Sequence, residues 1–364
     1  MTGLITSSRL RVFRRCRREH HLRYVLGRTS AASKAQDFGA LVHLGLEAWW
    51  KGEQQGAEAL AALGDAIGDF PSPLVLALSA MRAAAEQVDP YDLARAEAML
   101  VGYDCRWGHE RYEVLAVEAE FRATLPALPF EAPQRLGGKL DALVRTPDGR
   151  VLIVEHKTSS EDISTGSAYW ARLRLDGQVS LYYLGAEALG YEVAGVLYDV
   201  LGKPAMRPAK ASADVRMTKE KRSRCGACRG TGMKRLGDGP FVDGCPQCQG
   251  TGERVEPARP MAGQRLTDET PDEYRQRIVE ALAADPDRYF QRLEIVRLEG
   301  ERAAHLEELR AEVRELATAA PLPNPDSCVR FGSTCAFFPL CSKERSVEEY
   351  VQIRWPHPEL TEDL

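Results

Sequence analysis

The sequence predicts an α/β fold in which a strand-rich centre lies between largely helical segments, and three observations indicate this. Residues 113–121, EVLAVEAEF, alternate between apolar and polar side chains, as a half-buried strand does. Residues 137–145 and 151–157 are further apolar runs, and the turn sequence Thr-Pro-Asp-Gly joins them into a predicted hairpin. Residues 168–189 and 270–318 have the patterns of helices.

The elements before the strands are predicted to be helical. Residues 1–28 form a basic helix, and residues 36–50 carry apolar side chains at helical spacing. Residues 51–110 are rich in alanine and largely helical, with interruptions where prolines occur.

One stretch interrupts this pattern late in the chain. Residues 203–268 are rich in Lys, Arg, Gly and Pro, show no clear periodicity and follow a predicted strand at 191–201. We interpret them as an insertion. The sequence therefore predicts one domain, residues 1–202 with 269–364, whose residues 30–110 are largely helical, and one inserted module.

The distribution of charge is more informative than its sum. The formal net charge of −5 does not by itself indicate a nucleic-acid partner, but eight arginines lie between Arg9 and Arg28, where acidic residues are almost absent. Such a cluster can neutralise phosphates, although a solvated helix face is the better interpretation of an arginine run alone.

The sequence gives no sign of a membrane segment. No apolar run approaches the roughly 20 residues that cross a bilayer. The N-terminal segment has no apolar signal core. We therefore expect no membrane association and a cytoplasmic location, in a prokaryotic or phage-infected host cell.

Nine cysteines are many for a cytosolic chain, and they are unevenly placed. A reducing compartment argues against disulfides and for thiolates bound to metal. Four belong to two Cys-x-x-Cys pairs, three lie near the end of the chain and one near its start, which leaves Cys105 isolated. Because nine is odd, at least one cysteine is expected to be a bystander, and Cys105 is the candidate.

The predicted hairpin brings three charged side chains to one face. Counting outward from its Pro-Asp-Gly turn places Asp141 within about one residue of the position opposite Glu155. Glu155 and Lys157 are two residues apart and share a strand face, whereas His156 points to the other face. Two carboxylates and a lysine are therefore expected to converge.

This arrangement suits the hydrolysis of phosphodiesters. Mg²⁺ or Mn²⁺ prefers hard oxygen ligands, which Asp141 and Glu155 would supply from adjacent strands. Such an ion activates water and offsets the charge that develops on a phosphate, and Lys157 would hold or activate the attacking water. The alternative is a surface ion pair of Glu155 and Lys157 beside a hairpin aspartate. The apolar run Val151 to Val154 leads directly into these charges, which favours a site at a sheet edge.

The segments GGKLDALV and LIVEHKTS resemble the D…E-x-K core of PD-(D/E)xK nucleases. The flanking segments resemble the RecB/AddB exonuclease branch, which includes CRISPR-associated RecB-like nucleases and phage exonucleases. The resemblance implies a restriction-endonuclease-like α/β core, with a central mixed sheet flanked by helices and an N-terminal helical region. It also implies that Asp141 and Glu155 bind the divalent metal and that Lys157 is catalytic.

Three further matches extend the resemblance. His43, in FGALVHLGLEAWW, matches the histidine that this family places on the metal, although a lone histidine is more often an ordinary helical residue. Gln178 and Tyr182 match the family's Q-x-x-x-Y motif near the active site and the DNA; such a pair alone would be an ordinary amphipathic helix. The family often has an acidic residue on the preceding strand. Glu118 and Glu120 share a face there, so the sequence does not choose between them.

Cys328, Cys335 and Cys341 lie near the C-terminal end, with six and five residues between them. Three thiolates leave a four-ligand site incomplete, and Cys16 is the natural fourth although it lies over 300 residues away. The same family holds a 4Fe–4S cluster with one N-terminal and three C-terminal cysteines, so the resemblance implies such a cluster here. A four-cysteine zinc site of the same topology is the alternative, because spacing alone does not separate the two.

The predicted insertion repeats the pattern Cys-x-x-Cys-x-Gly-Thr-Gly, at Cys225 and Cys228 and again at Cys245 and Cys248. Each pair makes a tight turn with two thiolates, and the glycines let backbone N–H groups approach sulfur. Two such pairs predict a closed four-cysteine zinc site. The segment resembles half of the zinc region of J-domain chaperones, over fewer than 30 residues. Its basic flanks fit a DNA-contacting module or a structural clip equally well.

These observations predict a metal-dependent DNA nuclease, and the resemblance alone indicates an exonuclease acting on DNA ends or single strands. The first alternative is a catalytically silent iron–sulfur and zinc DNA-binding subunit of a recombination or repair complex, against which the intact Asp141, Glu155 and Lys157 argue. The second is a zinc-dependent interaction protein whose hairpin carboxylates are surface charges. The sequence has no helicase P-loop, so any unwinding would come from a helicase or recombination partner.

Overall fold

In a computed structural model of the chain, the described residues are 3–29, 34–63, 71–125, 133–235, 241–330, 333–353, 355–358 and 360–361. The chain divides into two compact units, Met1–Ala205 with Arg275–Leu364, and Met206–Tyr274. The second unit begins and ends within a few residues of the predicted inserted module at 203–268. That this module folds by itself stays a prediction.

Helices occupy most of the segments before and after the central strands. In chain order they are α1 (Ser7–Arg15), α2 (Arg17–His20), α3 (Lys34–Leu63), α4 (Pro73–Ala83), α5 (Pro90–Trp107), α6 (Ala168–Leu173), α7 (Gly177–Ala188), α8 (Pro271–Ala284), α9 (Pro286–Tyr289), α10 (Glu299–Thr318) and α11 (Phe338–Cys341). A π-helical turn at His21–Val25 follows α2. The predicted interruptions are confirmed, because prolines begin both α4 and α5, where a missing N–H leaves no hydrogen bond unmade.

The strands are, in chain order, β1 (Arg28–Thr29), β2 (Glu113–Leu125), β3 (Gln134–Arg145), β4 (Val151–Ser159), β5 (Gly195–Gly202), β6 (Lys221–Arg224), β7 (Met233–Arg235), β8 (Phe241–Asp243), β9 (Glu253–Glu256), β10 (Phe290–Ile295), β11 (Val329–Arg330), β12 (Ser333–Thr334) and β13 (Val351–Gln352). Five of them form the central sheet of the first unit, in the order β10-β5-β4-β3-β2. The β4–β5 pair is parallel and the other pairs are antiparallel, so the sheet is mixed as expected.

The predicted hairpin is formed by β3 and β4. The backbone N–H of Gly149 donates to the carbonyl of Thr146, and Gly149 adopts a φ of 88°, which glycine tolerates without steric strain. The register then pairs Val144 with Leu152 and Ala142 with Val154. Asp141 and Glu155 are the next residues on β3 and β4 beyond the Ala142–Val154 pair, so they lie close together, as the count from the turn predicts.

Helices cover both faces of the sheet. The side chain of His156 lies against aromatic rings of α3 and α5, whereas its neighbour Glu155 accepts a hydrogen bond from Gln178 of α7. Because consecutive strand residues point to opposite faces, these two helix groups lie on opposite sides of β4. The hydrophobic core beneath α7 is built from β2, β3, β4 and β5 together with α1 and α10.

Close packing of α7 on the sheet depends on two glycines. Phe121 of β2 is buried, and its ring lies against Gly138 of β3 and Gly185 of α7. A Cβ atom at Gly138 would meet Phe121 at 2.6 Å, and one at Gly185 would meet it at 2.5 Å. Both distances are shorter than real carbon contacts, so a side chain at either glycine would force the buried Phe121 ring to move.

The helix predicted at 168–189 is wrong in one respect, because it is two helices. The chain is extended at Asp176, whose side chain accepts a hydrogen bond from the backbone N–H of Gln178 and so caps α7. The carbonyl of Leu173, at the end of α6, has no partner within that helix. Arg297 donates a hydrogen bond to it at 2.9 Å. The partner Arg297 is over 100 residues away in the sequence.

The prediction of helices throughout 270–318 is also wrong, because β10 lies within this stretch. Its residues, FQRLEI, pair antiparallel with β5 from Phe290–Leu201 to Ile295–Val196. Pro286 begins the short α9 just before β10, and α10 starts only at Glu299. The strand depends on β5 as a partner, which local periodicity does not reveal.

The second unit contains two small antiparallel sheets, β6 with β9 and β7 with β8. These sheets lie beside the two cysteine pairs, and the four cysteines form a buried cluster of their own. Across the described parts of the chain, no helix has both the length and the apolar character needed to cross a bilayer.

Candidate functional site

The predicted carboxylates and lysine line a single cleft of about 520 Å³ in the first unit. Asp141 comes from β3, Glu155 and Lys157 come from β4, and the cleft walls are completed by α3 and α7. Pairing of β3 with β4 stops at Ala142, so the side chain of Asp141 is free to turn toward β4. Its Oδ2 atom accepts a hydrogen bond from the backbone N–H of His156 at 2.7 Å.

Glu155 is almost fully buried, with 1% of its surface exposed. Gln178 donates to its Oε1 atom at 2.9 Å, and Lys157 forms an ion pair with the same oxygen. Burial raises the pKa of Glu155 above its ordinary value; Lys157 opposes the shift and the charge of Asp141 adds to it. The other oxygen, Oε2, is buried without a hydrogen-bond partner. A buried carboxylate oxygen of this kind is suited to accept a cation.

His43 approaches the same carboxylates from α3. Its Nδ1 atom lies 4.0 Å from Oδ2 of Asp141. Burial lowers the pKa of His43 to about 4, with further lowering by Lys157 and His156. The ring is therefore neutral at pH 7 and has a lone pair for a metal ion. The donor set of His43, Asp141 and Glu155 fits a divalent cation such as Mg²⁺ or Mn²⁺.

Gln178 and Tyr182 lie one turn apart on α7 and are both buried beside Glu155. The Gln178 amide contacts the Tyr182 hydroxyl as well as Glu155. Burial and Glu155 raise the pKa of Tyr182 well above its ordinary value, so the hydroxyl keeps its proton. Arg11 of α1 donates to Oε1 of Gln178 at 2.9 Å. One arginine of the N-terminal run, although exposed, thus contacts a residue that lines the cleft.

The two acidic residues of β2 have different surroundings. Glu118 lines the cleft and forms an ion pair with Lys139. In the β2–β3 register it lies opposite Asp141, between two pairs of aligned residues. Glu120 instead accepts hydrogen bonds from the backbone and side chain of Thr361. Glu118 has a positive φ of 53°, which breaks the alternation of the strand. The alternation of a regular strand predicts that Glu118 and Glu120 share a face. The irregular backbone at Glu118 instead gives them different surroundings.

Sequence reasoning assigned no role to three other residues that line or support the cleft. They are Arg11, Glu47 and Lys139. Glu47 lies one helical turn after His43, a spacing visible in the sequence, and it forms an ion pair with Lys51. Lys139 lies two residues before Asp141 on the same strand, so it shares a strand face with that carboxylate. Nothing in the sequence distinguishes Arg11 from the other arginines of the N-terminal run.

The two cysteine pairs of the second unit form nearly identical knuckles. All four sulfur atoms, of Cys225, Cys228, Cys245 and Cys248, lie within 4.8 Å of one another and are buried. The Sγ atoms of Cys228 and Cys248 are 3.6 Å apart, and those of Cys225 and Cys245 are 4.0 Å apart. Tetrahedral zinc with Zn–S bonds near 2.3 Å places thiolates about 3.8 Å apart. The spacing therefore fits one tetrahedral ion.

Each knuckle supports the other through its backbone. The N–H of Cys225 donates to the carbonyl of Gly252, and the N–H of Cys245 donates to the carbonyl of Gly232. Gly232 and Gly252 have φ values of 73° and 76°. A Cβ atom on Gly252 would lie 2.4 Å from a backbone oxygen, so only glycine fits at this contact. The second glycine of each Gly-Thr-Gly is thus required by the approach of the two knuckles.

The second cysteine set brings the two ends of the first unit together. The carbonyl of Arg15, next to Cys16, accepts hydrogen bonds from Asn324 and Ser327. Burial raises the pKa of the Cys335 thiol, and Cys16 is close enough to raise it further. Burial likewise raises the pKa of Cys341, and Cys16 and Cys328 add to that shift. The four predicted ligands, Cys16, Cys328, Cys335 and Cys341, are therefore neighbours in the fold.

These four sulfurs are spaced differently from those of the knuckles. Among the residues that the structure describes, the knuckle cysteines are the one group of three or more possible ligands that meets the 4.8 Å spacing. Cys105, the expected bystander, is exposed on α5. The chain thus contains one compact thiolate group and, in the other unit, a second cysteine set that does not meet this spacing.

Comparisons with known proteins identify a family over most of the chain. A family model described as the PD-(D/E)XK nuclease superfamily matches residues 5–342. The solved structure of SSO0001 is similar at 13% sequence identity, with 41% of this chain and 56% of that chain covered and a TM-score of 0.19. The chain therefore spans little more than half the length of that structure, and so weak a likeness carries no argument. A search of curated proteins found no match.

Proposed function

The chain belongs to the PD-(D/E)XK nuclease superfamily, and we propose that it is a metal-dependent deoxyribonuclease of the RecB-like branch that acts on DNA ends or single strands. The observation that carries the proposal is the convergence of Asp141, Glu155 and Lys157 in one cleft. One carboxylate oxygen of this group, Oε2 of Glu155, is buried without a hydrogen-bond partner among the described residues. The alternative function, a catalytically silent DNA-binding subunit, does not require two carboxylates and a lysine in one cleft.

Asp141 and Glu155 would hold one or two Mg²⁺ or Mn²⁺ ions, with His43 as a further ligand. Such an ion lowers the pKa of bound water and offsets the negative charge that develops on the phosphate. The protein prepares the carboxylates for this role. The His156 N–H fixes Asp141, and Gln178 fixes one oxygen of Glu155 while leaving the other available.

Lys157 would act on the attacking water and on the charge of the phosphate. Its ammonium group lies beside Glu155 and places a positive charge in the cleft. A cation held in advance at this position stabilises developing negative charge more effectively than mobile water does. A divalent ion held by Glu155 would compete with this ion pair, and the Lys157 ammonium would then face the substrate phosphate.

Gln178, Tyr182 and Arg11 would position the substrate and the carboxylates. The Gln178 amide bridges Glu155 to Arg11, since it donates to one and accepts from the other. Arg11 therefore has an exposed guanidinium group held beside the cleft by Gln178, and such a group is suited to a DNA phosphate. This is the role that the Q-x-x-x-Y resemblance implies for the helix.

The two cysteine sets would hold different metals. The knuckle spacing of 3.6–4.0 Å supports one zinc ion, as in a structural site with no open position. The wider set of Cys16 and the three C-terminal cysteines supports a 4Fe–4S cluster, because irons and sulfides separate the thiolates of such a cluster. It would join chain segments about 300 residues apart and so reduce the entropy of the unfolded chain.

A nuclease assay with labelled DNA tests the proposal. Purified protein is incubated with 5′- or 3′-labelled single and double strands, with Mg²⁺, with Mn²⁺ or with a chelator. We expect metal-dependent release of short products from one labelled end and faster cleavage of single strands. Binding of DNA without cleavage under every metal condition would favour the silent subunit instead.

A further inference from the structure

A row of polar side chains crosses the central sheet on the face opposite to Glu155. His156 on β4 is the register partner of Asp199 on β5, and Asp199 is the register partner of Arg292 on β10. The three residues thus lie side by side on adjacent strands. Register partners on neighbouring strands are near enough for their side chains to interact directly.

Asp199 is the centre of this row and is completely buried. Its Oδ2 atom accepts hydrogen bonds from the Tyr103 hydroxyl at 2.7 Å and from Arg292 at 2.9 Å. The Nδ1 atom of His156 lies 3.4 Å from the same oxygen. Trp50 donates to the Tyr103 hydroxyl and ties the row to α3. Burial alone would raise the pKa of Asp199, but Arg292 and His156 lower it to about 2, so the carboxylate stays charged.

The row has a direct link to the cleft through the backbone of His156. That N–H donates to Oδ2 of Asp141 at 2.7 Å. The imidazole is 2% exposed and its ring centre lies about 6 Å from the rings of Trp50 and Tyr103. Neither ring nitrogen makes a hydrogen bond within the described parts of the chain, so the packing of these rings and the charge contact with Asp199 hold the imidazole in place. A side chain locked by such contacts helps to keep its own backbone, and so the N–H, in one orientation.

Stability alone gives little reason for a buried charge at this place. Removing a carboxylate and a guanidinium from water is costly, and their attraction offsets that penalty only in good geometry. Apolar residues of similar size would often stabilise a sheet as well. The row therefore makes more sense as a device that fixes one conformation of β4 next to the cleft.

We propose that Asp199 is a positioning residue for the divalent metal, because it holds His156 and thereby the N–H that orients Asp141. The inference rests on the proposed role of Asp141 as a metal ligand. Groups that orient metal ligands without touching the metal typically change its affinity 10- to 100-fold when they are replaced. Asp199→Asn keeps the size of the side chain and removes its charge, so we expect roughly 10-fold weaker metal binding.

Direct titration of the intact protein with Mn²⁺, followed by electron paramagnetic resonance, measures this affinity without any cleavage. Mn²⁺ prefers oxygen and nitrogen ligands over thiolates, and the site is identified as the one that Asp141→Ala abolishes. Asp199→Asn should weaken Mn²⁺ binding at that site, and DNA binding without metal should be unchanged. Tyr103→Phe removes only one hydroxyl from Asp199 and should weaken Mn²⁺ binding to a smaller extent.

Glu97→Gln is the matched control, because Glu97 is also a buried acid held by two arginines, Arg82 at 2.6 Å and Arg275 at 3.1 Å. It should lower the melting temperature and leave Mn²⁺ affinity at the wild-type value. If folded Asp199→Asn and Tyr103→Phe bind Mn²⁺ like the wild type, the inference is wrong. Should Asp199→Asn not fold, the Tyr103→Phe titration decides alone. Cleavage of DNA by the wild type is scored separately, so the nuclease proposal and this one can fail independently.

Discussion

The knuckles of the second unit and the cleft of the first are both suited to metal, and they are built in opposite ways. In the knuckles, four buried sulfurs already lie within 4.8 Å of one another. In the cleft, Nδ1 of His43 lies 4.0 Å from Asp141, and Glu155 keeps one oxygen without a partner beside a space of about 520 Å³. A complete ligand set with no open position stabilises a fold, whereas an incomplete set leaves room for water and substrate.

The two regions also differ in where their residues come from. The knuckles use 24 consecutive residues, Cys225 to Cys248, and a repeated glycine pattern. The cleft assembles His43, Asp141, Glu155 and Tyr182 from four elements of the first unit. We therefore expect the knuckles to depend on local sequence, and the cleft to depend on the packing of the whole sheet and its helices.

The largest effect is expected from Asp141→Ala, which removes one of the two carboxylates for the divalent ion. Cleavage should fall at least about 10²–10³-fold, because the developing charge loses its main stabilising group. Initial rates on labelled DNA at saturating Mg²⁺ measure this. Glu120→Ala is the control, since Glu120 contacts Thr361 rather than the cleft, and it should cleave at nearly the wild-type rate. Equal losses in both variants would contradict the proposed site.

The next effect concerns the cysteines that join the chain ends. Protein purified without oxygen should be brown and carry about four irons per molecule. Cys16→Ser should remove the colour as fully as Cys335→Ser, and each should lower the melting temperature because a long loop is no longer closed. Cys105→Ser, on the exposed side of α5, should change neither. Colourless protein with two zinc ions and no iron would show that this set is a second zinc site.

A smaller effect on cleavage is expected from the knuckles, and it tests the contrast between the two regions most sharply. The double variant Cys225→Ser with Cys228→Ser should lose one zinc per chain by metal analysis. Cleavage should stay near the wild-type rate, because an insertion that carries its own metal folds largely by itself. Loss of all soluble protein, or of cleavage, would show that the module is integral to the nuclease.

Local sequence was sufficient wherever neighbouring residues determine the structure. The Pro-Asp-Gly turn sets the register that brings Asp141 next to Glu155, and the two-residue spacing puts Lys157 on the same face. The knuckle pattern places four sulfurs at ligand spacing for the same reason. Resemblance to the nuclease family supplied the rest of the site, namely His43, Gln178 and Tyr182, and the structure brings all three to the cleft.

Distant partners explain what the sequence could not predict. Residues 290–295 become a strand only by pairing with β5, so a charged stretch that resembles helix forms the sheet edge. Asp199 reads as an ordinary strand residue, because its partners Tyr103 and Arg292 lie 96 and 93 residues away. The choice of Glu118 over Glu120 depends on one positive φ, which the alternating pattern does not show.

The most direct test of the account is the cleavage rate of Lys157→Ala, measured with saturating Mg²⁺ beside the wild type. Lys157 touches Glu155 and lines the cleft, and it is proposed to act on the attacking water rather than to bind metal. We expect wild-type protein to degrade labelled DNA and to stop when the metal is chelated. Lys157→Ala should bind DNA and Mn²⁺ but cleave at least about 10²-fold more slowly, because the transition state loses a fixed positive charge. Near-wild-type cleavage by Lys157→Ala would contradict the assignment of this cleft as the active site of the nuclease.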